Sequence, residues 1–436
     1  MSIKNSPPLL PLDSARGSRE GGKGGEFLAD FHIHSPYSRA TSKALSFESL
    51  SAWGQLKGIT LIGTGDCTHP RWLEEIKKKL TPDSSGLLML KDAKETGGID
   101  VPVSCVREVR FVITGEISTI FKRGGKVRKV HHVVVLPDLD AAGRFAGELG
   151  KRGNVKADGR PILGLDARDL LEILLTASRA AALIPAHLWT PWFSALGAHS
   201  GFDSVDECYA DLASHIFAVE TGLSSDPPMN RRVKSLDRFT LVSNSDAHSA
   251  HKIGREANHF NCALSYDGIM DALRGKDKKG FAGTLEFFPE EGKYHYDGHR
   301  DCKVRLSPKE TRKNKGLCPS CGKPVTRGVC YRVEELADRP ENDASAPASP
   351  FKSLLSLPEL LSEIMDCGSQ SKKVTAEHRR LLAALGPEIE IMLSLPLEDV
   401  ARAGNARLAE GVHRIREGEV TAEPGYDGEF GKIRAF

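Results

Sequence analysis

The chain has 436 residues, more than one domain of ordinary size holds, so two or three folded units are expected. Its 40% hydrophobic and 27% charged content belongs to a globular chain that buries a large core without disulfide staples. Lys+Arg 60 against Asp+Glu 58 gives a net charge of +2, which excludes a polycation that coats nucleic acid and leaves room for a local basic patch. No run approaches the ~18–20 apolar residues that span a bilayer, so no membrane partner is expected. Residues 1–25 are Pro-rich and then Gly-rich, without a basic stretch leading into an apolar one. They read as a disordered leader rather than a secretory signal. Nine cysteines, an odd count, point to reduced thiols and a metal site rather than a disulfide framework, and to a cytoplasmic location.

From residue 26 to residue 290 short apolar runs alternate with amphipathic stretches. ITLIG (59–63), VRFVITGE (109–116), HVVVLP (132–137), ALIPAH (182–187), IFAVETG (216–222) and FTLVSNSD (239–246) are each bounded by Gly, Pro, Asp or Asn and predict strands. Helical patterns such as 46–58 and 166–181 fall between them. That alternation predicts βα units and a mainly parallel sheet or barrel. Residues 291–339 are short of apolar runs and rich in Cys, His, Lys and Arg, which sets them apart as a module. Residues 340–350, PENDASAPASP, read as a linker. Residues 351–436 carry helical patterns and end in a tail containing PGYDGEFGKIRAF.

Polar residues collect where the apolar runs end. His32, Asp66, Glu116, His187, Glu220 and Asp246 each stand at or just after such an end. The C-termini of parallel barrel strands share one rim, so residues distant in sequence would meet in one pocket. His32-x-His34 on a strand would point both rings to one face. Asp66 with His69, and Asp246 with His248, offer a carboxylate beside an imidazole, and His131 and His132 add two more rings. Such a set suits Zn, Mn or Fe, with a Glu bridging two or three ions. The chemistry expected is phosphoester hydrolysis, in which bound metals acidify water and hold phosphate oxygens. A single buried His is ordinarily a hydrogen-bonded core residue; the ordered set at strand ends carries the reading.

Over residues 27–288 this ordered set resembles the PHP (polymerase and histidinol phosphatase) metallo-phosphoesterase superfamily. The resemblance implies an α/β fold, a distorted seven-stranded (βα) barrel with a two- or three-metal site at the strand C-terminal rim. Motif by motif, it implies that His32, His34, Glu116 and Asp246 hold one ion. Glu116 then bridges to a second ion held with His132 and His187, His131 being the alternative to His132. Asp66, His69 and His248 surround a third, and Glu220 completes the ligand set. Glu116, Asp246 and Asp66 are the expected catalytic carboxylates, and the ions two or three of Zn, Mn, Mg or Fe. The strings LWTPWFSALGAHSGFDSVDECYADL, VETGLSSDPPMN, SNSDAHSAHKIGREAN and CPSCGKPVTRGVCYRVEELADR are similar to the endonuclease Q family, with a match from about residue 27 to the C-terminus. That likeness implies a metal-dependent DNA repair endonuclease that nicks 5′ of a deaminated base (uracil, hypoxanthine, xanthine) or an abasic site. The products would be a 3′-hydroxyl and a 5′-phosphate. Double- or single-stranded DNA would be the partner, on the nucleoid, and a sliding clamp is a further candidate.

In the module, His299-x-x-Cys302 and Cys318-x-x-Cys321 make two ligand pairs with the spacing of a tetrahedral structural zinc site; His295 and Cys330 are alternatives to His299. From Arg300 to Arg332 ten Lys/Arg face two Asp/Glu, a local +8 that suits a DNA backbone. A damaged base drawn out of a duplex needs aromatic faces, and Trp189, Trp192 and Phe193 crowd into LWTPWF just after His187. Asn230, Arg231, Asn244 and Arg255, near the metal motifs, are candidate phosphate or base contacts. Two other readings use the same residues: a PHP phosphatase for a small phosphomonoester, which gives the basic module no role, and a DNA-binding scaffold with a decayed site, which the near-complete ligand set disfavours.

Overall fold

The computed structural model describes residues 25–341, 343 and 345–436. The leader expected over residues 1–25 lies outside the described residues, save for Gly25, which opens the first strand. Among the described residues twelve strands precede the cysteine module: β1 (Gly25–Asp30), β2 (Leu61–Gly63), β3 (Leu80–Pro82), β4 (Leu88–Leu90), β5 (Arg110–Arg123), β6 (Lys126–Leu136), β7 (Ile162–Leu163), β8 (Ala182–Pro185), β9 (Ala218–Glu220), β10 (Thr240–Val242), β11 (Ala257–Cys262) and β12 (Phe281–Glu286). The module adds β13 (Asp297–His299) and β14 (Val304–Leu306); β15 (Phe351–Ser353), β16 (Thr421–Glu423) and β17 (Lys432–Arg434) follow it.

The pairing is mixed rather than mainly parallel. β1–β2, β2–β5 and β9–β10 are parallel, whereas β5–β6, β6–β8, β1–β11 and β11–β12 are antiparallel. The main cause is local. The run read as 109–116 continues to Arg123, turns on Gly124 and Gly125, and returns as β6. Both glycines have positive φ, +60° and +73°, the left-handed pair that a tight hairpin turn requires.

Backbone hydrogen bonds carry the sheet past β8. The Leu188 N–H donates to the Glu220 carbonyl at 3.0 Å, β9 pairs with β10, and the His34 N–H donates to the Ala247 carbonyl at 2.9 Å, bringing the sheet back to the end of β1. Side chains alternate between two apolar clusters. Phe27, Ala29, Leu61, Val112, Val133, Val135, Ile184, Ala218 and Val242 form an inner one. Leu28, Ile62, Phe111, Ile113, Val134, Leu136, Leu183, Val219 and Leu241 belong to an outer one shared with the helices. Helices begin where the sequence supplies caps: Ser46 for Phe47–Lys57, closed by left-handed Gly58, and Asp166 for Ala167–Ala177.

Past the expected linker, β15 joins the sheet edge in parallel with β12. Helices Leu357–Met365, Lys372–Leu385, Glu388–Leu393, Leu397–Ala403 and Ala406–Glu417 then pack as a helical region. Lys57 of the first helix, itself buried, donates to Glu388 at 2.7 Å and ties that region to the sheet's helical layer. Among the described residues no helix is long and apolar enough to cross a membrane.

Candidate metal centre

The expected strand-end residues converge. Ligand atoms of His32, His34, Glu116 and Asp246 all lie within 4.8 Å of one another. His34 Nε2 is 2.9 Å from Asp246 Oδ1 and 3.3 Å from Glu116 Oε2, and His32 Nε2 is 3.4 Å from the same Glu116 oxygen. A second group within the same limit consists of Glu116, His131 and His187. There Glu116 Oε1 faces His131 Nδ1 at 2.6 Å and His187 Nε2 at 3.3 Å. One carboxylate thus presents one oxygen to each group.

The expected choice of His132 is corrected. β6 places His131 on the face of Val133 and Val135, the inner one, and His132 on the face of Val134 and Leu136. Glu116 stands opposite Val133 in the ladder and so shares the inner face. His132 instead lies 2.8 Å from the Tyr209 hydroxyl through Nδ1 and 2.9 Å from the Thr119 hydroxyl through Nε2. Burial pushes its pKa down to about 3.

Glu220 and Asp66 prove to be supports rather than members of either group. Glu220 holds His32 Nδ1 at 3.1 Å and accepts from the His187 N–H at 2.7 Å and the Asn244 amide at 2.8 Å. Asp66 Oδ1 holds His34 Nδ1 at 3.3 Å. Its Oδ2 accepts from the Ser35 N–H, the Ser35 hydroxyl and the Ser38 hydroxyl at 2.7, 2.5 and 2.7 Å. Each histidine of the pincer therefore has a carboxylate behind Nδ1, which fixes the tautomer and aims the Nε2 lone pair inward. Gly159 sits against the Asp66 carboxylate where any side chain would overlap it.

The set expected around a third ion is not gathered at one point. Asp66 is saturated by its serine donors, His69 stacks on Tyr37 at 4.3 Å with Nε2 toward the Lys156 carbonyl, and His248 lies ring-to-ring on His34 at 4.3 Å. Asp66, His187 and Asp246 all have positive φ, so backbone strain is concentrated at the site.

The donor set fits divalent cations. Among the described residues His32 Nε2 is buried without a hydrogen-bond partner. Burial alone would lower the His32 pKa, yet Glu220, Glu116 and Asp246 outweigh it and push it well above the usual imidazole value. The space between the rings thus favours positive charge. Burial likewise pushes His131 down to about 4, against the pull of Glu116, which keeps that ring neutral and able to ligate. Arg160, which carried no motif, enters from the 152–161 loop and places Nη1 3.1 Å from Glu116 Oε2. Glu116 is held well below the usual carboxylate range: burial opposes, and His131, Arg160 and His32 prevail.

The expected DNA contacts divide. Trp189 is buried and donates to Asn230 at 2.7 Å, so both belong to the core. Arg231 is buried and spends its guanidinium on the carbonyls of Leu236 and Phe239 and on Ser349. Asn244 supports Glu220 from within the core. Arg255 bonds the Ser245 carbonyl behind Asp246. Trp192, by contrast, is 39% exposed, stacked on His199 at 4.7 Å and edge-on to Tyr294. Phe193, left-handed at φ +60°, lies 4.7 Å from the His131 ring.

In the module His299, Cys302, Cys318 and Cys321 bring their ligand atoms within 4.8 Å of one another. Left-handed Lys303 and Gly322 turn the two knuckles. His295 lies apart and faces Cys330 Sγ at 3.2 Å.

A family model for the MJ0043 C-terminal domain matches residues 356–419. Protein MJ0043 of Methanocaldococcus jannaschii is 31% identical over 253 residues, 56% of this chain but only 31% of that longer protein. Protein YqxK of Bacillus subtilis is 28% identical over 94% of this chain and 99% of its own. The crystal structure of the lesion-specific endonuclease PfuEndoQ from Pyrococcus furiosus superposes with a TM-score of 0.80 at 30% identity, covering 94% of this chain and 95% of that one. Endonuclease Q bound to a 27-mer duplex with an abasic lesion at its active site gives the same TM-score and identity, covering 94% and 96%. With that identity sustained along nearly both whole lengths, the chain belongs to the endonuclease Q family.

Proposed function

We propose that this chain is a metal-dependent DNA repair endonuclease. It hydrolyses the phosphodiester 5′ of a deaminated base (uracil, hypoxanthine or xanthine) or of an abasic site, leaving a 3′-hydroxyl and a 5′-phosphate. The observation that carries the reading is the Glu116 carboxylate, with one oxygen toward His32 and His34 and the other toward His131 and His187. It is supported by the likeness to an endonuclease Q whose active site holds an abasic duplex. We read the strand ring as a distorted seven-stranded PHP barrel and the cysteine cluster as a structural zinc module. The protein works in the cytoplasm, on the nucleoid.

Two divalent ions held by these groups would supply Lewis acidity and a water acidified toward neutral pH. The chain's own residues set the geometry. Glu220 and Asp66 fix the His32 and His34 rings; Asp246 supplies a second carboxylate on the open side of the first group. Arg160 stands beside the shared carboxylate, where its guanidinium can hold a phosphate oxygen. Phe193 offers a ring face beside the second group, and Trp192, next in the chain and partly exposed, offers another, suited to a base lifted from the stack.

The test is nicking of end-labelled duplexes carrying one uracil, one hypoxanthine, one abasic analogue or no lesion, with Mg²⁺, Mn²⁺ or Zn²⁺. A single cut 5′ of the lesion, absent from the lesion-free duplex and from Glu116→Ala, is expected. No cut on any DNA, with phosphate released from small monoesters, would overturn it in favour of a phosphatase.

A further inference from the structure

His295 and Cys330 stand outside the four-ligand cluster and face each other, Nε2 to Sγ, at 3.2 Å. His295 is only 5% exposed, and Tyr296 stacks on its ring at 5.4 Å. Burial pushes its pKa down to about 4, against the pull of the Ser224 and Pro289 backbone, so the ring is neutral and keeps a lone pair. Among the described residues its Nδ1 is buried without a hydrogen-bond partner. The pair lines a cavity of about 320 Å³ together with Asp226 and Glu290.

The cavity carries more negative charge than it neutralises. Of its carboxylates, Glu334 pairs with Arg312 and Glu341 with Arg232. Asp226 and Glu290 make no ion pair among the described residues, and Glu290 Oε2 is buried there without a hydrogen-bond partner. Burial, with Glu290 nearby, pushes the Asp226 pKa up to about 7 against the Met229 N–H. Burial, then Glu290, Asp297 and Asp226, push the Cys330 thiol well above its usual value. A cation at this point relieves all three groups at once. The backbone holds the donors in place. The Cys330 N–H, at the start of helix Val329–Leu336, donates to the His295 carbonyl at 3.0 Å. Gly328 passes so close to the Tyr294 and Tyr296 carbonyls that any side chain there would overlap them. The C-terminal tail docks alongside: the Gly425 N–H donates to the Glu290 carbonyl at 2.7 Å, and the Tyr296 N–H to the Gly425 carbonyl at 2.9 Å.

We propose that His295 Nε2 and Cys330 Sγ bind one borderline divalent ion, of the Zn²⁺ class, at a site separate from the barrel centre and from the four-ligand cluster, with Asp226 and Glu290 balancing its charge. Imidazole with thiolate is a pairing such ions favour. On a tetrahedral ion two such donors lie about 3.5 Å apart, close to the 3.2 Å seen here. Neither carboxylate comes within 4.8 Å of both donor atoms, so water fills the remaining positions. Binding releases the thiol proton to solvent. Because His295 enters the module and Cys330 leaves it, the ion fastens the two ends of the module to each other beside the Asp226 loop.

The test is a count of ions per chain by native mass spectrometry, on the full chain equilibrated with Zn²⁺ and freed of loosely held metal. Cys330→Ala and His295→Ala should each lose one ion, and the double variant one rather than two. Cys318→Ser should lose a different ion, so its combination with Cys330→Ala should lose two. A full count in Cys330→Ala overturns the proposal, and a combination that loses only one ion overturns a separate site. Anomalous diffraction at the zinc edge reads the same point in the wild type, with no substitution to disturb the fold. A peak between His295 Nε2 and Cys330 Sγ is expected, and its absence from Zn²⁺-equilibrated crystals overturns the site. Neither readout depends on whether the chain cuts DNA.

Discussion

Glu116 Oε1 lies 2.6 Å from His131 Nδ1, the shortest of the contacts through which this carboxylate reaches its two imidazole groups. The other oxygen faces His32 and His34 at 3.4 and 3.3 Å. Glu116→Gln keeps the shape, removes the charge and turns one shared oxygen into a donor. Metal stoichiometry by mass spectrometry should fall. Nicking should drop about a thousandfold or more, which is about 4 kcal/mol or more of barrier. Affinity for lesion DNA should be largely retained. Affinity lost together with activity, in a variant that is still folded, would show that Glu116 serves binding and not chemistry alone.

The two adjacent histidines give a sharper test. His131→Ala should lose metal from the second group and with it activity. His132→Ala should keep its metal and its lesion dependence but lose about 1–3 kcal/mol of stability, because the Tyr209 hydroxyl is left buried without its partner while Thr119 falls back on the Val130 carbonyl. Urea denaturation and metal analysis of both variants decide it. Metal loss confined to His132→Ala would reverse the assignment.

That pair also shows what could be read from the sequence. His32, His34, Glu116, His187 and Asp246 were legible because each stands at or just after the end of an apolar run, and four such runs ending at one rim bring them together. His131 was legible in principle. Odd positions of β6 carry Val133 and Val135 inward, and counting back by twos reaches His131; the fault lay in the register, not the residues. The supports were out of reach: Glu220 meets His32 across 188 residues, and only the fold sets whether a carboxylate lies inside a cluster or behind it. Arg160 had no signal beyond lying in a Gly- and Pro-flanked loop. Trp189 and Trp192 look alike in LWTPWF; one is sealed in the core by Asn230 and the other left at the surface.

Behind the pincer, Glu220→Gln keeps one acceptor oxygen, enough for the His187 N–H or the Asn244 amide but not both, and removes the charge behind His32 Nδ1. Removing such a support typically costs about 10–100-fold in metal affinity. Competition with a chelator should show a loss in that range, with activity returning at saturating metal. Activity that stays abolished at saturating metal would make Glu220 a direct ligand after all.

In the cysteine module the buried apolar cluster is only Leu306, Cys318 and Val325, too little to hold a fold. On the proposed reading, a metal held by the four ligand atoms supplies the rest. Cys318→Ser, or chelation of the wild type, should open residues 299–326 to limited proteolysis while the strand ring stays resistant. Equal resistance with and without metal would mean that tail docking alone holds the module.

The helical region is anchored by charge in a dry place. Lys57 and Glu388 are both buried, 2.7 Å apart, with His378 Nε2 2.9 Å from the second Glu388 oxygen. Burial alone would raise the Glu388 pKa; Lys57 and then His378 overcome it and hold it down to about 2. A carboxyl with a depressed folded-state value stabilises above its unfolded value, near 4.5, and loses that contribution as pH falls toward 2. Glu388→Gln leaves Lys57 buried without a counter-charge, which should cost about 3–5 kcal/mol at pH 7. The gap between wild type and variant should narrow by about 2 kcal/mol between pH 6 and pH 3, read from urea midpoints across that range. A gap that stays constant through this window would mean that Glu388 is not the group whose charge holds the two parts together.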